Sequence, residues 1–514
     1  MKSPLDSEDE IFENLKKSVD PEEQAWREQA LEERLLAQQQ KVQERLAEQI
    51  DSNTTLPVNI SSITIVGAPH ARKGFLQRIF NPILQANKER QHTLAEALQE
   101  VSLGARKLHK LDIFQPVIPV YYDRPDPTTA SSTPNDISVY LNVREKSRLL
   151  LKTGTDLGNA EGSAYGNLLW RNVLGGAETL NINASLGTRT RSAYSAGFDT
   201  PILSNPDLRW EIGGLASSTQ KSWASHEEVQ KGLGTKLRWI SSYGHRYELG
   251  FSGIWRQITG LAKDASPTVR GDAGDSVKNS ITYTWTNDRR DNPLLPSKGY
   301  LMKTVSEIAG WGPLQGDVAF WKTEFESQAA LPIPVPGIKG RSGIEFTTGI
   351  RAGLLYPLAL ARQSNPEPSC INDRFQLGGP TDVRGFRLCG LGPRDGRDSV
   401  GGDVYAAGGA ALLFPLPRVA ADRPLRFQTF INGGRLLALK DPGMKEKGGK
   451  TVQDSVYSTV QELGNELPSV AAGIGLVYAH PVARFELNFS LPLVLRKGEE
   501  GRKGLQFGVG ISFL

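Results

Sequence analysis

The residues best suited to chemistry in this 514-residue sequence fall in one short stretch, Arg374-Phe375-Gln376-Leu377-Gly378-Gly379 followed by Val383-Arg384-Gly385-Phe386. A guanidinium carries its N–H donors in a planar fork that matches a carboxylate, so Arg384 is equipped for bidentate bonding. Gly385 permits a sharp backbone turn, and Phe386 supplies an apolar anchor. This is chemistry of locking, not of bond-making. The glycine pairs Gly378-Gly379 and Gly433-Gly434 lack the Lys-Ser/Thr of a phosphate-binding loop, and no nucleophile and base stand together. The six histidines (His70, His92, His109, His226, His245 and His480) are scattered, and Cys370 and Cys389 have neither CxxC nor Cys/His metal spacing. No enzymatic activity, metal or cofactor is expected.

Composition narrows what positions this stretch. Hydrophobic residues make up 39% of the chain, mean hydropathy is -0.35, and nothing approaches the run of about eighteen apolar residues that a membrane helix needs. A membrane β-barrel is not excluded, because its strands alternate lipid-facing with lumen-facing residues and average out to soluble-like hydropathy. With 60 basic against 56 acidic residues, a net charge of +4 and no long basic run, nucleic acid is not an expected partner. The first 50 residues hold 13 acids and 7 bases, unlike either a secretory signal or an Arg-rich presequence. Synthesis in the cytosol with internal targeting information is the expectation.

Three regions follow along the chain. Residues 1–56 form a polar extension, helical over Pro21 to Ile50 or disordered. Residues 57–146 alternate strand and helix signals. A strand at Ile60 to Val66 precedes a helix from Gly74 to Phe80 that stops at Asn81-Pro82. Thr93 and Glu96 form a capping box for a second helix with Leu94, Leu98, Val101, Ala105 and Leu108 on one face. Strands at Val117 to Tyr122 and Ile137 to Val143 complete a β-α-α-β-β order. A helix pair on one face of a three-stranded sheet is a sufficient core for a unit of this size.

From 147 to 514 no convincing helix remains, and segments of about ten residues alternate apolar with polar or small residues. Val277, Ile281, Tyr283 and Trp285 oppose Lys278, Ser280, Thr282 and Thr284; Phe485, Leu487, Phe489 and Leu491 oppose Arg484, Glu486, Asn488 and Ser490. We count about sixteen such segments, beginning near 149, 163, 178, 191, 208, 231, 245, 276, 299, 317, 342, 403, 425, 469, 483 and 505. Unpaired strand edges are intolerable in lipid, so the segments must close on one another. The longest interruption, 356–402, contains Arg384 and is far longer than a hairpin connection. The expected fold is mostly β: a 16-stranded antiparallel transmembrane barrel with a long inward-folded loop.

In its single soluble unit, its sixteen strands and the Val383-Arg384-Gly385-Phe386 loop before the final strands, the chain resembles the outer-membrane assembly family that includes bacterial BamA and the barrel subunit of the mitochondrial sorting and assembly machinery. The resemblance covers residues 57 to 514. It implies that 57–146 is a polypeptide-transport-associated (POTRA) domain and that the Arg384 loop locks against the inner barrel wall. It also implies a lateral gate between the first and last strands, near Leu149, Leu151 and Thr153 on one side and Leu505 to Phe513 on the other. The family often carries Phe-x-Asp-x-Gly on the strand facing the loop, whereas this chain has Phe430-Ile431-Asn432-Gly433-Gly434. Asn432 accepts a hydrogen bond without forming an ion pair, so Asp403 and Glu486 are the candidate carboxylate partners of Arg384.

The terminal stretch Gln506-Phe507-Gly508-Val509-Gly510-Ile511-Ser512-Phe513 matches a polar-x-Gly-x-x-hydrophobic-x-hydrophobic pattern that resembles the sorting signal of mitochondrial barrels. Read as a strand, it has an apolar lipid face and a lumen face of Gln506, Gly508, Gly510 and Ser512. The resemblance implies a protein of the mitochondrial outer membrane that folds and inserts β-barrel precursors by β-augmentation. Its soluble unit would face the intermembrane space, and peripheral subunits would cap the cytosolic side. A protein-translocating channel of the same family is the alternative. A passive porin explains neither the soluble unit nor the loop, and a soluble β enzyme is least favoured.

Overall fold

The computed structural model describes residues 34, 38, 41, 44–45, 48–89, 92–116, 118–123, 133, 135–158, 161–334, 343–360, 366–416, 424–439, 449–481 and 483–510. The proposed helix at Pro21 to Ile50 lies largely outside these residues; those described there are helical. The chain divides into two compact units, one formed by residues up to 68 with 77–109 and 115–144, the other by 69–76, 110–114 and 145–514.

In the first unit, β1 (Pro57–Val66) pairs in parallel with β4 (Asp136–Asn142), β3 (Val120–Asp123) pairs antiparallel with β4, and a two-residue β2 (His92–Thr93) extends the other edge. Helix α2 (Leu94–Lys110) starts at a capping box, with Thr93 N donating to Glu96 Oε2 at 3.1 Å and Glu96 N to Thr93 Oγ1 at 3.3 Å. Its buried stripe is Ala97, Val101, Gly104 and Leu108, rotated slightly from the face expected through Leu98 and Ala105. Gly104 is the reason. A Cβ there would sit 2.6 Å from the Phe80 ring, so the glycine lets helix α1 (Lys73–Glu89) approach closely and fixes which side of α2 faces inward.

Helix α1 runs through Pro82, correcting the expected stop at Asn81-Pro82. A proline inside a helix forfeits one backbone bond at a cost of about 3 kcal/mol. Ile83 and Leu84, beyond it, pack against the core of Val58, Ile60, Ala97, Val101 and Val139, and that burial outweighs the loss.

The second unit is one antiparallel sheet of sixteen strands. They are β5 (Leu149–Gly158), β6 (Glu161–Arg171), β7 (Thr179–Gly187), β8 (Thr190–Pro201), β9 (Leu208–Lys221), β10 (His226–Ile240), β11 (Arg246–Thr259) and β12 (Gly274–Asp288). There follow β13 (Gly299–Ala309), β14 (Phe320–Pro332), β15 (Glu345–Pro357), β18 (Val404–Pro415), β19 (Leu425–Leu437), β20 (Ser469–Ala479), β21 (Arg484–Val494) and β22 (Gly504–Gly510). Two-residue strands β16 (Arg394–Asp395) and β17 (Asp398–Ser399) pair within the long loop. The starts of all sixteen lie within five residues of those expected, the widest difference being at β10.

Strand parity follows the alternation. Leu149, Leu151, Ile182, Leu186, Ile281, Tyr283, Leu487, Phe489, Leu505 and Phe507 are exposed on the outer face. A continuous apolar exterior of this kind is what lipid, not water, accommodates. Among the described residues no helix is long and apolar enough to cross a membrane. Among the described residues two α-helices interrupt the strands, which corrects the expectation of none: Pro267–Gly271 and α3 (Gly449–Asn465). Val452, Val456, Thr459 and Leu463 recur at helical spacing in α3, so it was legible, but β-branched residues gave it a strand-like composition.

Candidate functional site

The site is assembled from the loop between β15 and β18 and the lumen faces of the strands around it. Arg384 is 2% exposed and meets Glu486 of β21, which is fully buried, with Nε 2.9 Å from Oε2 and Nη2 3.2 Å from Oε1. The guanidinium carbon also lies 4.9 Å from the centre of the Phe430 ring. Glu486 is further held by Arg484, by Gln428 Nε2 at 3.2 Å and by Asn488 Nδ2 at 2.8 Å. A buried charge is tolerable only when its lone pairs are filled this completely.

Of the two candidate carboxylates, Glu486 therefore holds Arg384. Asp403 does not. Its carboxylate accepts from Ser369 Oγ and from the backbone N of Leu439 at 2.9 Å, so it ties the early part of the loop and the end of β19 to the start of β18. Asp403 sits where the loop rejoins the wall, just ahead of β18, whereas Glu486 is the third residue of β21 on lumen parity.

Asn432 bonds the loop's backbone and not its guanidinium. With the amide oriented to suit its neighbours, its oxygen accepts from Arg384 N at 2.8 Å and its nitrogen donates to Arg384 O at 3.1 Å. Gln506 on β22 does the same one residue further on. Gly385 N donates to Gln506 Oε1 at 2.8 Å, and Gln506 Nε2 donates to Phe386 O at 3.0 Å. Two carboxamides thus supply to a buried loop what a neighbouring strand supplies to a ladder. The segment just before β22 completes the set, with Arg502 N donating to Gly385 O at 2.8 Å and Arg387 N to Glu500 O at 3.1 Å.

Gly385 has φ +87°, and a Cβ on it would lie 2.5 Å from the Cβ of Ala471, so both conformation and space demand glycine. Val383 and Phe386 are fully buried, and with Phe375, Leu377 and Leu391 they pack against Leu355, Phe320, Leu436 and Ala471 of the wall. Further ion pairs moor the loop. Asp373 receives Arg256 of β11 in a bidentate pair at 2.6 and 3.1 Å, its carbonyl accepts from Lys322 Nζ at 3.0 Å, and Asp382 meets Arg351 of β15 at 3.4 Å. These moorings were missed on sequence. Their signal was present: Arg256, Lys322 and Arg351 all fall on lumen parity, where a charge demands a partner.

The opposite wall is different. Asn181, Asn183, Ser195, Gly197, Asp199, Glu211, Gly213, Gly234 and Arg238 line a cavity of about 450 Å³ that no residue of the loop lines.

Sixteen strands give fifteen neighbouring pairs in the sheet, and each of these has a registered ladder. The two ends, β5 and β22, lie beside each other with Cα atoms within 8 Å, yet among the described residues no ladder registers one against the other. Leu149, Leu151 and Thr153 lie on the outward face of β5, and Gln506, Gly508 and Gly510 on the lumen face of β22. Gly508 stands opposite Glu486 and Gly510 opposite Arg484. Ile511 and Phe513 lie outside the described residues.

Comparison with known proteins bears on this arrangement. Residues 172–513 match the Omp85 superfamily domain. A SAM50-like protein of Schizosaccharomyces pombe is 39% identical over 471 residues, covering 91% of this chain and 94% of that one. The human sorting and assembly machinery component 50 homolog is 32% identical, covering 82% and 84%. The sorting assembly machinery 50 kDa subunit of Saccharomyces cerevisiae is 26% identical, covering 90% and 96%. The crystal structure of BamA from Haemophilus ducreyi lacking POTRA domains 1-3 superposes with a TM-score of 0.67 at 14% identity, covering 88% of this chain and 84% of that one, and so shares the fold.

Proposed function

This chain belongs to the Omp85 superfamily, among the homologues of sorting and assembly machinery component 50, and we propose on that premise that it folds and inserts β-barrel precursors into the mitochondrial outer membrane. The observation that carries this reading is the seam between β5 and β22, the one junction of neighbouring barrel strands without a registered ladder among the described residues. A strand entering lipid exposes backbone N–H and C=O groups at a cost of several kcal/mol each. An edge at β5 that parts from β22 offers those groups partners. The client's last strand pairs there by β-augmentation, and further hairpins join beside it.

In this reading residues 57–146 act as a POTRA domain in the intermembrane space, and peripheral subunits cap the cytosolic side. Leu149, Leu151 and Thr153 line one lip of the gate. Gln506, Gly508 and Gly510, with Ile511 and Phe513 beyond them, line the other. Glycines at 508 and 510 remove side-chain packing on the lumen face of β22, which suits an edge that parts. The loop keeps its packed position while the seam works, because its ion pairs, buried on β11 and β21 and half-buried on β15, lie away from β5.

The test is disulfide trapping between a client's terminal strand and single cysteines placed through 149–157 and 505–510. Crosslinks to both edges are expected, in an antiparallel register with β5. Absence of crosslinks at either edge overturns the gate while leaving the fold intact.

A further inference from the structure

The backbone of Gly385 and Phe386 presents one N–H and one C=O, buried in the lumen, to a single side chain. That side chain is Gln506, itself 4% exposed. The arrangement is selective for a carboxamide of this reach. A glutamate would accept from Gly385 N but set its second oxygen against Phe386 O. A lysine would donate to Phe386 O and leave Gly385 N without a partner. An apolar residue would strand both groups.

The neighbours sharpen the choice. Gln506 lies opposite Asn488 on β21, beside a Glu486 carboxylate already shared by Arg384 and Arg484, so a neutral carboxamide meets the two backbone groups without adding a charge to that cluster. Gln506 is also the first, polar position of the stretch that matches polar-x-Gly-x-x-hydrophobic-x-hydrophobic. A strand of the same pattern pairing with β5 in place of β22 brings its own polar residue to the same point.

We propose that the Gly385–Phe386 backbone is a reading site for the polar position of an incoming strand, that its preferred ligand is a carboxamide side chain on an extended segment of another polypeptide, and that Gln506 is its resident occupant. The proposal rests on the replacement of β22 by a client strand at the seam. It adds that the inner loop inspects the strand's first polar residue, with β5 supplying backbone pairing and the loop supplying discrimination. Gln is preferred at that position over both Lys and Glu, each of which satisfies one of the two backbone groups.

The test leaves the protein's own sequence unchanged in its first arm. Client precursors with Gln, Lys or Glu at the polar position of their last strand carry a photo-crosslinking residue two positions earlier, on the lumen face, or one position later, towards lipid. They are presented to the full-length protein in membranes, and adducts are mapped by mass spectrometry. The Gln client is expected to form adducts with residues 383–387. Gln→Glu in the client is expected to reduce those loop adducts about tenfold, the effect of one unsatisfied buried group, with adducts to β5 unchanged.

Equal loop adducts from the Gln and Glu clients overturn the reading site. Loop adducts with the predicted preference for Gln but without any adduct to β5 overturn the seam mechanism and leave the reading site standing. No adduct of either kind overturns both. In a second arm, Q506E in the full chain is expected to raise the labelling rate of the buried Cys389 thiol about tenfold as the loop loosens. An unchanged rate would also overturn the proposal.

Discussion

The two halves of this barrel solve the problem of a polar lumen in opposite ways. From β11 to β22 the wall holds the loop: buried Arg384, Arg256 and Asp373 are paired, and Phe375, Leu377, Val383, Phe386 and Leu391 form an apolar core with the strands, beside a polar cavity of about 530 Å³ between the loop and Lys322, Glu326 and Arg351. From β6 to β10 the loop touches the wall at the β9–β10 turn, where Ala224 packs with Ile371 and Val400 and Ser225 Oγ donates to Asp398 at 2.5 Å; below that turn the polar groups serve one another. Asn167 Nδ2 donates to Asn181 Oδ1 at 2.9 Å, Asn183 Nδ2 to Ser195 Oγ at 3.2 Å, and Arg238 bridges Asp199 at 3.1 Å and Glu211 at 3.3 Å, all beside open volume. In one half a docked loop brings an apolar core and buried ion pairs into the lumen; in the other the mid-wall polar groups face open volume without it. The seam adjoins both, since β22 is fastened to the loop through Gln506 while β5 pairs with β6 at the edge of the other half.

The contrast is broken most directly by removing one partner of a buried charge. Glu486→Ala leaves Arg384 and Arg484 without their carboxylate, and a loss of about 3–5 kcal/mol in loop docking is expected. Labelling of Cys389, buried in the loop at 6% exposure, reads this as faster reaction with a maleimide. Labelling at the native rate would show that the ion pair does not hold the loop.

Next in size is Gly385→Ala. The left-handed conformation costs about 1–2 kcal/mol for an L-residue, and the collision with Ala471 adds roughly 1–3 kcal/mol. Adding Ala471→Gly should recover the collision but not the conformational part, so the double variant is expected to lie between the single variant and the native protein in Cys389 labelling. Full recovery would mean that φ at 385 is unimportant.

Asn432→Asp comes third. The carboxylate still accepts from Arg384 N but faces Arg384 O without a donor, at a cost of about 1–3 kcal/mol. The family the chain resembles often places Asp here, so this variant asks whether that residue suits this loop's backbone. Beside the open volume, Asn183→Ala is expected to change barrel stability by less than about 1 kcal/mol, because water replaces the amide. A larger effect, measured by urea denaturation in detergent, would show that water does not replace it there.

The smallest effect lies in the first unit. Asp136 accepts from Asn59 Nδ2 at 2.8 Å and from Thr133 N at 2.7 Å, and these bonds hold its carboxyl below the ordinary value. Backbone bonding from Thr133 is the leading cause, followed by the Asn59 amide. A depressed carboxyl contributes stability that is fully present above its unfolded value and is lost as pH falls through the folded one. Hydrogen exchange in β1 and β4, corrected for its intrinsic pH dependence, is expected to quicken only in the acid range below about pH 4. Asp136→Asn should remove that dependence.

Sequence made the strands legible because a barrel strand is read by parity alone. Phe485, Leu487 and Phe489 point outward whatever lies across the lumen. The glycines, too, mark turns that hold without tertiary help. The widest displacement of a strand start, at His226, arose because His226, Glu227 and Glu228 carry no apolar alternation at that end of β10. What parity does not encode is which lumen residue meets which. Asp403 and Glu486 were equal on sequence, and only the path of the loop separated them. Asn432 and Gln506 were legible as polar and inward, but their bonding to backbone depends on a turn at Gly385 that sequence places only as permitted. Pro82 failed for the same reason in the first unit: local preference ended α1, and burial of Ile83 and Leu84 continued it.

The even number of strands carries a directional consequence. With sixteen antiparallel strands, the first and last run in opposite senses, so whatever lodges against β5 in place of β22 inherits one heading. A polypeptide whose own final strand takes that berth has all its remaining length on the N-terminal side. It can lengthen its sheet only by laying down earlier strands after later ones, the reverse of the order in which they were synthesised. On the proposed seam, the strand count would fix the guest strand's heading, and that strand's last place in its own chain would fix the inverted order of the rest.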